Sequence, residues 1–423
     1  MNKEKEQPVN IQSPPPLGPP PDGGWVAWSV VGGAFCCLFT SFGWINCIGI
    51  FQNYYSLHQL AHYSNSTIAW IPSLESFMMF FGGIFAGRIF DSYGSRWLLL
   101  FGSFFHVFGL MMVSISTKYY QIILAQGVCS PIGASAIFFV ATASVSTWFK
   151  ERRAFALGIV FSGSSLGGVI FPIMVNKLTV EVGFAWTMRI CAFLILFLMV
   201  IANLTLKSRL HHQPKKINVH QFIQPLKEIP FLLVITSSFL FFLGVFLPFN
   251  YIVQMAVRNG MSASLANYLV SIISTLSILG RTIPGYLADR LGVFVVMISV
   301  SYLSAILCSA LWIPARSNAS IIVFAALYGF SSGGFVSLGP AIVAQISNLE
   351  ELGIRLGTYF AIISIAALIS NPIGGALFPN PATDPFWKLQ LFASVMMAAG
   401  STGYVVVWIY LRRVKAKERV EEV

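Results

Sequence analysis

The chain has 423 residues, of which 56% are hydrophobic and only 10% charged. A water-soluble domain carries roughly 25% charged residues, so this balance, with a mean hydropathy of +0.75, excludes a soluble globular protein and requires lipid as the solvent. The formal net charge of +11 calls for no nucleic-acid partner, because the lysines and arginines gather between apolar segments along the chain. Residues 1–24 are polar and proline-rich, with Pro14–Pro16 and Pro19–Pro21, and read as a disordered tail rather than a cleavable signal peptide. Apolar segments then recur at 25–52, 67–89, 96–116, 119–146, 154–176 and 185–206, and after a polar gap at 230–257, 263–288, 293–313, 319–345, 355–377 and 386–411. Most reach the roughly 20 residues that a helix needs to cross a bilayer. Backbone groups in lipid must bond within their own segment, so each is predicted to be a helix. The expected fold is an all-α membrane protein with twelve transmembrane helices in two six-helix bundles. The first bundle covers 25–206, a linker 207–229, the second bundle 230–411 and a short tail 412–423.

Chemistry-bearing residues are few, and each has a plain structural alternative. The first span holds Trp44 and Asn46 deep within it. Most other tryptophans, such as Trp25, Trp148 and Trp408, fall near span ends, where the ring meets the headgroups, so Trp44 is expected to face the pore. Glu75 is the clearest intramembrane acid of the first half, and His106 in the third span reads as a bonded packing histidine. Residues 147–172 join a basic run, Lys150-Glu151-Arg152-Arg153, to a span rich in small residues, among them Gly158, Gly163, Gly167 and Gly168. Such a span lets a neighbouring helix backbone come close. Arg189 lies near a span end and can snorkel. In the seventh span Pro248-Phe249-Asn250-Tyr251 sets a helix breaker beside polar groups, which either line a cavity or only mark a kink; Asn371-Pro372 has the same two readings. Arg281 is a guanidinium within the eighth span. It either binds an anion bidentately, or snorkels or pairs with a structural acid.

The two halves echo each other. Gly87-x3-Asp91-x2-Gly94-x-Arg96 follows the second span, and Gly285-x3-Asp289-Arg290-x-Gly292 follows the eighth, with the Gly and Asp pairs both 198 residues apart. Leu157-Gly158 echoes Leu356-Gly357, and Pro172 echoes Pro372. Two parallel halves predict a substrate site at the bilayer midplane between them, open to each side in turn. Basic residues set the orientation. With both termini in the cytoplasm, the inner segments hold most of them, including Lys150, Arg152, Arg153, Lys215, Lys216 and Arg412. The outer segments hold only Lys118, Lys177, Arg258, Arg316 and Lys388, the asymmetry expected of cytoplasmic loops. The sequons at Asn65 and Asn318 then fall on outer loops. The six cysteines lie in apolar spans without metal-ligand spacing. There is no phosphate loop, histidine pair or nucleophile elbow, so no metal, cofactor or enzymatic activity is expected.

The repeated Gly-x3-Asp-x2-Gly-x-Arg pattern resembles the loop signature of the major facilitator superfamily. That resemblance implies a cytoplasmic gate built from Asp91, Arg96, Asp289 and Arg290. A narrower likeness follows. Pro21-Asp22-Gly23-Gly24-Trp25 and Trp148-Phe149-Lys150-Glu151-Arg152-Arg153-Ala154 resemble the two signatures of the monocarboxylate transporter family. Gly353-Ile354-Arg355-Leu356-Gly357 and Asn371-Pro372-Ile373-Gly374-Gly375 look most like its fungal, monocarboxylate-permease-like branch. The resemblance covers nearly the whole chain after the tail. It departs where proton-linked animal members place a lysine in the first span and an aspartate in the eighth, since Asn46 and Ser277 stand there. The proton–lactate machinery therefore does not carry over.

The expectation is a secondary, alternating-access carrier of a small organic acid or related metabolite. Arg281, Asn46, Asn250, Tyr251 and Trp44 are the expected substrate-binding residues. Glu75 is the candidate for proton coupling, because a carboxyl held out of water can exchange a proton. The resemblance to the fungal branch implies, as alternatives, a carrier for riboflavin or a secondary metabolite, and a nutrient receptor that no longer transports is a further one. The plasma membrane is the expected location, with a vacuolar membrane as the alternative.

Overall fold

Hydropathy demands helices, and the backbone supplies them. The structure, a computed structural model, describes residues 20–210, 223–377 and 385–421, without the side chains of residues 53, 65, 66 and 415–421. The tail up to residue 19 and most of the predicted linker lie outside the described residues. Among those described there is no strand. In chain order the first membrane-length helices are α1 (Trp25–Leu57), α2 (Thr67–Tyr93), α3 (Ser95–Ile115) and α4 (Tyr119–Trp148). One continuous segment, Arg153–Thr205, then runs for 53 residues, about 80 Å if straight and far more than a bilayer. It turns back at Gly183 (φ 79°, ψ 163°), a conformation glycine adopts without steric cost. This gives α5 (153–182) and α6 (184–205), in keeping with the two spans expected there. The second half holds α7 (Ile229–Arg258), α8 (Ala263–Leu291), α9 (Val293–Trp312), α10 (Asn318–Gln345), α11 (Leu349–Leu377) and α12 (Trp387–Val414).

Several helices are broken, for identifiable reasons. α1 divides into Trp25–Thr40, Phe42–Ile45 and Ile48–Leu57. Near the first break the Thr40 and Ser41 hydroxyls donate to the carbonyls of Cys36 (3.0 Å) and Cys37 (2.6 Å), the back-bonding that bends helices. α7 breaks between Val245 and Leu247, where Pro248 has no N–H to give to the Gly244 carbonyl. In α4 the stretch Ile123–Cys129 is wound as a π-helix.

α1 packs along α5 and α6, while α7 packs along α12 and α8 along α10. Two seams join the halves, α2 against α11 and α5 against α8. Both are made by glycine. A Cβ on Gly87 would overlap the Gly353 carbonyl, and one on Gly357 the Gly83 carbonyl. In the other seam, a Cβ on Gly285 would come within 2.6 Å of the Ala154 carbonyl, and one on Gly158 would overlap that of Arg281. The sequence repeat is thus a repeat of close helix crossings. Phe104, Phe193, Phe197 and Leu204 stand exposed on the outer wall, as lipid permits and water does not. The seams run from the end bearing Asp91 and Asp289, here the charged end, to the middle of the bundle. The opposite end is the far end.

Candidate functional site

Each half caps a helix of the other at the charged end. The Asp91 carboxylate accepts from the backbone N–H groups of Gly353 (3.0 Å) and Ile354 (2.9 Å) at the start of α11. Asp289 accepts from those of Ala154 and Phe155, both at 2.9 Å, at the start of α5. A helix N-terminus presents unpaired, partly positive N–H groups, which suit a carboxylate. Arg153 adds a third tie between the halves, its Nη1 donating to the Ala344 carbonyl of α10 (3.0 Å). Arg355 grips Glu228 through two bonds of 2.7 and 2.6 Å and braces α11 against the start of α7. The expected gate arginines are placed otherwise. Arg96 is exposed, and Arg290 lies over the Tyr286 ring, 4.4 Å from its centroid. Among the described residues neither makes an ion pair, because backbone N–H groups already serve both acids.

The two signature segments interlock. Asp22, with φ 51°, puts its carboxylate against the backbone N–H groups of Lys150 (2.5 Å), Glu151 (2.8 Å) and Arg152 (3.3 Å). Its own N–H donates to the Trp148 carbonyl (3.2 Å), and Trp28 packs on Phe149 (5.2 Å between centroids). The start of α1 therefore holds the loop that carries Arg153 and the N-terminus of α5. The sequence shows both segments but not that one clasps the other.

At the level of the middle of the bundle the charged end gives way to aromatic rings. Phe42, Phe80, Phe138 and Phe161 of the first half face Phe242, Phe335 and Phe360 of the second around a narrow chamber with room for little more than one water molecule. Phe360 of α11 enters the first half. Its ring stacks on Phe80 (5.8 Å, 9°) and stands edge-on to Phe138 (5.0 Å) and Phe139 (5.3 Å). Such walls hold an apolar body by area and by ring contacts, with few directional demands. Sequence reading misses this chamber, since its rings are scattered over seven helices among 37 phenylalanines and share no period. Arg281 lies beside it, 5.8 Å from the Phe42 ring centroid. Its Nη1 donates across the seam to the Phe161 carbonyl and the Ser164 hydroxyl of α5. Among the described residues it meets no acid, and its buried Nε has no hydrogen-bond partner.

The other expected site residues are not gathered there. Trp44 is 1% exposed, with its ring between Phe51 and Phe171, each 5.2 Å away. The expectation that it faces the pore is therefore corrected, since aromatic partners cover it inside the first half. Asn46 gives its amide to the carbonyls of Phe42 (3.2 Å) and Gly43 (3.3 Å), serving the break in α1. Asn250 donates to Asn371 Oδ1 (2.6 Å), and the Tyr251 hydroxyl to the Asn371 carbonyl (3.3 Å), which ties α7 to α11. Glu75 does not meet Arg281. It lies within the first half, accepting from Gln126 (3.0 Å), a residue the sequence does not single out. His106 bonds Ser130 Oγ (2.9 Å) and the Thr40 carbonyl (3.0 Å), and Arg189 donates to Ser114 Oγ (3.2 Å).

With this geometry in place, comparison with known proteins is informative. The family model described as Major Facilitator Superfamily matches residues 33–317 and 234–423. A protein named MFS-type transporter 1, from Ophiocordyceps sp. (strain BCC 1869), is 52% identical over 415 residues, covering 97% of this chain and 92% of that protein. The Fujikurins efflux protein of Gibberella fujikuroi is 45% identical over 383 residues, covering 90% and 82%. Among solved structures, the transporter FucP in the outward conformation superimposes with a TM-score of 0.71 at 14% identity, over 90% of this chain and 98% of that one; it shares the fold.

Proposed function

The chain belongs to the major facilitator superfamily of membrane transporters, and from that premise we propose that it exports a largely apolar secondary metabolite. The observation that carries this reading is the lining between the halves, phenylalanine rings from both, which close on one another in this conformation and part to admit a solute. A small, strongly hydrated acid gains little from such walls, whereas a larger carbon skeleton gains by burial, at about 25 cal/mol per Å² of apolar surface removed from water. A relative named as an efflux protein, alike over most of both chains, supports the same alternative. It favours that alternative over the small organic acid of the sequence expectation, and over the monocarboxylate likeness from which that expectation came.

In this reading the charged end faces the cytoplasm, as the basic residues suggest. The closed seams then shut the described conformation on its cytoplasmic side, and the plasma membrane is the location an exporter requires. Arg281 binds the two halves through Phe161 and Ser164. An acidic substituent on the metabolite would compete for the same guanidinium and loosen the seam. The test is an untargeted comparison of metabolites inside and outside cells with and without this gene. The expected result is one family of apolar metabolites retained inside cells that lack it. Unchanged partition of every such metabolite would sink the proposal.

A further inference from the structure

We propose that Glu75, Gln126 and Tyr55 form a proton-binding site sealed within the first half, whose occupancy is set by the far segment of α1. Its role as the site of the driving ion rests on the exporter reading; its existence as a proton site does not. The three side chains form a directed chain. The Tyr55 hydroxyl donates to Gln126 Oε1 (2.5 Å), and Gln126 Nε2 donates to Glu75 Oε2 (3.0 Å). Tyr55 and Gln126 are 0% exposed and Glu75 is 2% exposed. The chain depends on the π-wound stretch Ile123–Cys129. A π-turn shifts the facing of the residues within it and is frequent at functional positions; here it carries Gln126 between α1 and α2.

Charge balance separates a proton site from a structural hydrogen bond. Around Glu75, α4 supplies only the neutral Gln126. The titratable neighbours are Tyr55 and Cys47 of α1, with Cys191 of α6 beside Cys47. α11, which packs against α2, carries no charged residue between Arg355 and Leu377. Arg281 gives its Nη1 to α5 and does not reach this site. Among the described residues no cation faces the carboxyl, and an unpaired buried charge is costly. The neutraliser the site admits is a proton. A purely structural chain would need only an amide at position 75, so the carboxyl adds titration and nothing else.

The device that admits water is the break in α1. The segment Ile48–Leu57, which carries Tyr55, is separated from Trp25–Thr40 by the interruptions at Ser41 and at Asn46–Cys47. When this segment tilts, the Tyr55 hydroxyl leaves Gln126, the amide is released, and the carboxyl reaches water. The Glu75 O–H bond then breaks, the proton passes to water, and a carboxylate remains; the return motion reverses each step.

The test uses the purified full-length chain in lipid with no solute added, and infrared difference spectra recorded across pH. The wild type is expected to show a protonated-carboxyl C=O band that titrates away, and Glu75→Gln to lack it. Asp91→Asn and Asp289→Asn identify bands from the charged end. Tyr55→Phe is expected to keep the band, displace its midpoint by about one pH unit and raise its frequency as the hydrogen bonding weakens. Gln126→Leu does the same more strongly; should it fail to fold, Tyr55→Phe, which loses a single oxygen, carries the test. A band that persists in Glu75→Gln, or a Tyr55→Phe spectrum with midpoint and frequency unmoved, overturns the proposal. Either result leaves the exporter reading standing, whereas an intact band in a protein that moves no metabolite removes the exporter and leaves the proton site.

Discussion

Asp91→Asn and Asp289→Asn should each open the charged end by an amount that follows from the geometry. Each carboxylate receives two backbone N–H bonds of 2.9 to 3.0 Å. The two bonds at each carboxylate fall on different oxygens, and asparagine keeps only one of these acceptors and no charge. Hydrogen bonds to charged groups are worth roughly 1.5–3 kcal/mol and neutral ones roughly 0.5–1.5. Each latch therefore loses one bond outright and weakens the other, about 3 kcal/mol in all, roughly a 150-fold shift toward the form open at that end. Both latches break in the same motion, so the double variant should lose about 6 kcal/mol, a shift on the order of ten-thousandfold. The assay is a spin–spin distance measurement between labels at Tyr93→Cys and Leu291→Cys. These positions are repeat-related, close α2 and α8, and are 62% and 61% exposed. A second distance population should appear in each single variant and dominate in the double. An unchanged distribution in the double variant would refute the latch, and a large effect of one acid without the other would refute its symmetry.

Two further outcomes follow from named contacts. Asp22→Ala removes the acceptor of three backbone N–H groups; even one such bond lost, about 1.4 kcal/mol, should speed trypsin cleavage at Lys150, Arg152 and Arg153 about tenfold, and an unchanged rate would show that the clasp contributes nothing. Arg281→Gln should lower the melting temperature by more than Ser164→Ala does, because the guanidinium also holds the Phe161 carbonyl; unchanged melting with abolished transport would assign the guanidinium to the substrate instead.

What the sequence discloses and what it withholds divide along physical lines. Lipid forces every span to be apolar from end to end, so the helices can be read from composition, and the turn at Gly183 falls between two expected spans. Asp91 and Asp289 were legible because the glycines and acid that make each crossing lie within a few residues of each other. Their partners were not, since the N–H groups that Asp91 accepts from lie 262 and 263 residues away and those of Asp289 135 and 134 away, each pair on the opposite half. Trp44 misleads because depth in a span does not fix rotation about the helix axis. Gln126 stays hidden for a related reason: a π-wound stretch departs from the 3.6-residue period by which helix faces are assigned. The chamber rings have no local signature at all.

The most direct measurement is transport of the retained metabolite into sealed membrane vesicles of the two orientations. Vesicles with the charged end outward should accumulate it, and accumulation should fall when ring contacts are removed by Phe360→Ala. Vesicles that move lactate or acetate but none of the larger apolar metabolites would contradict the account.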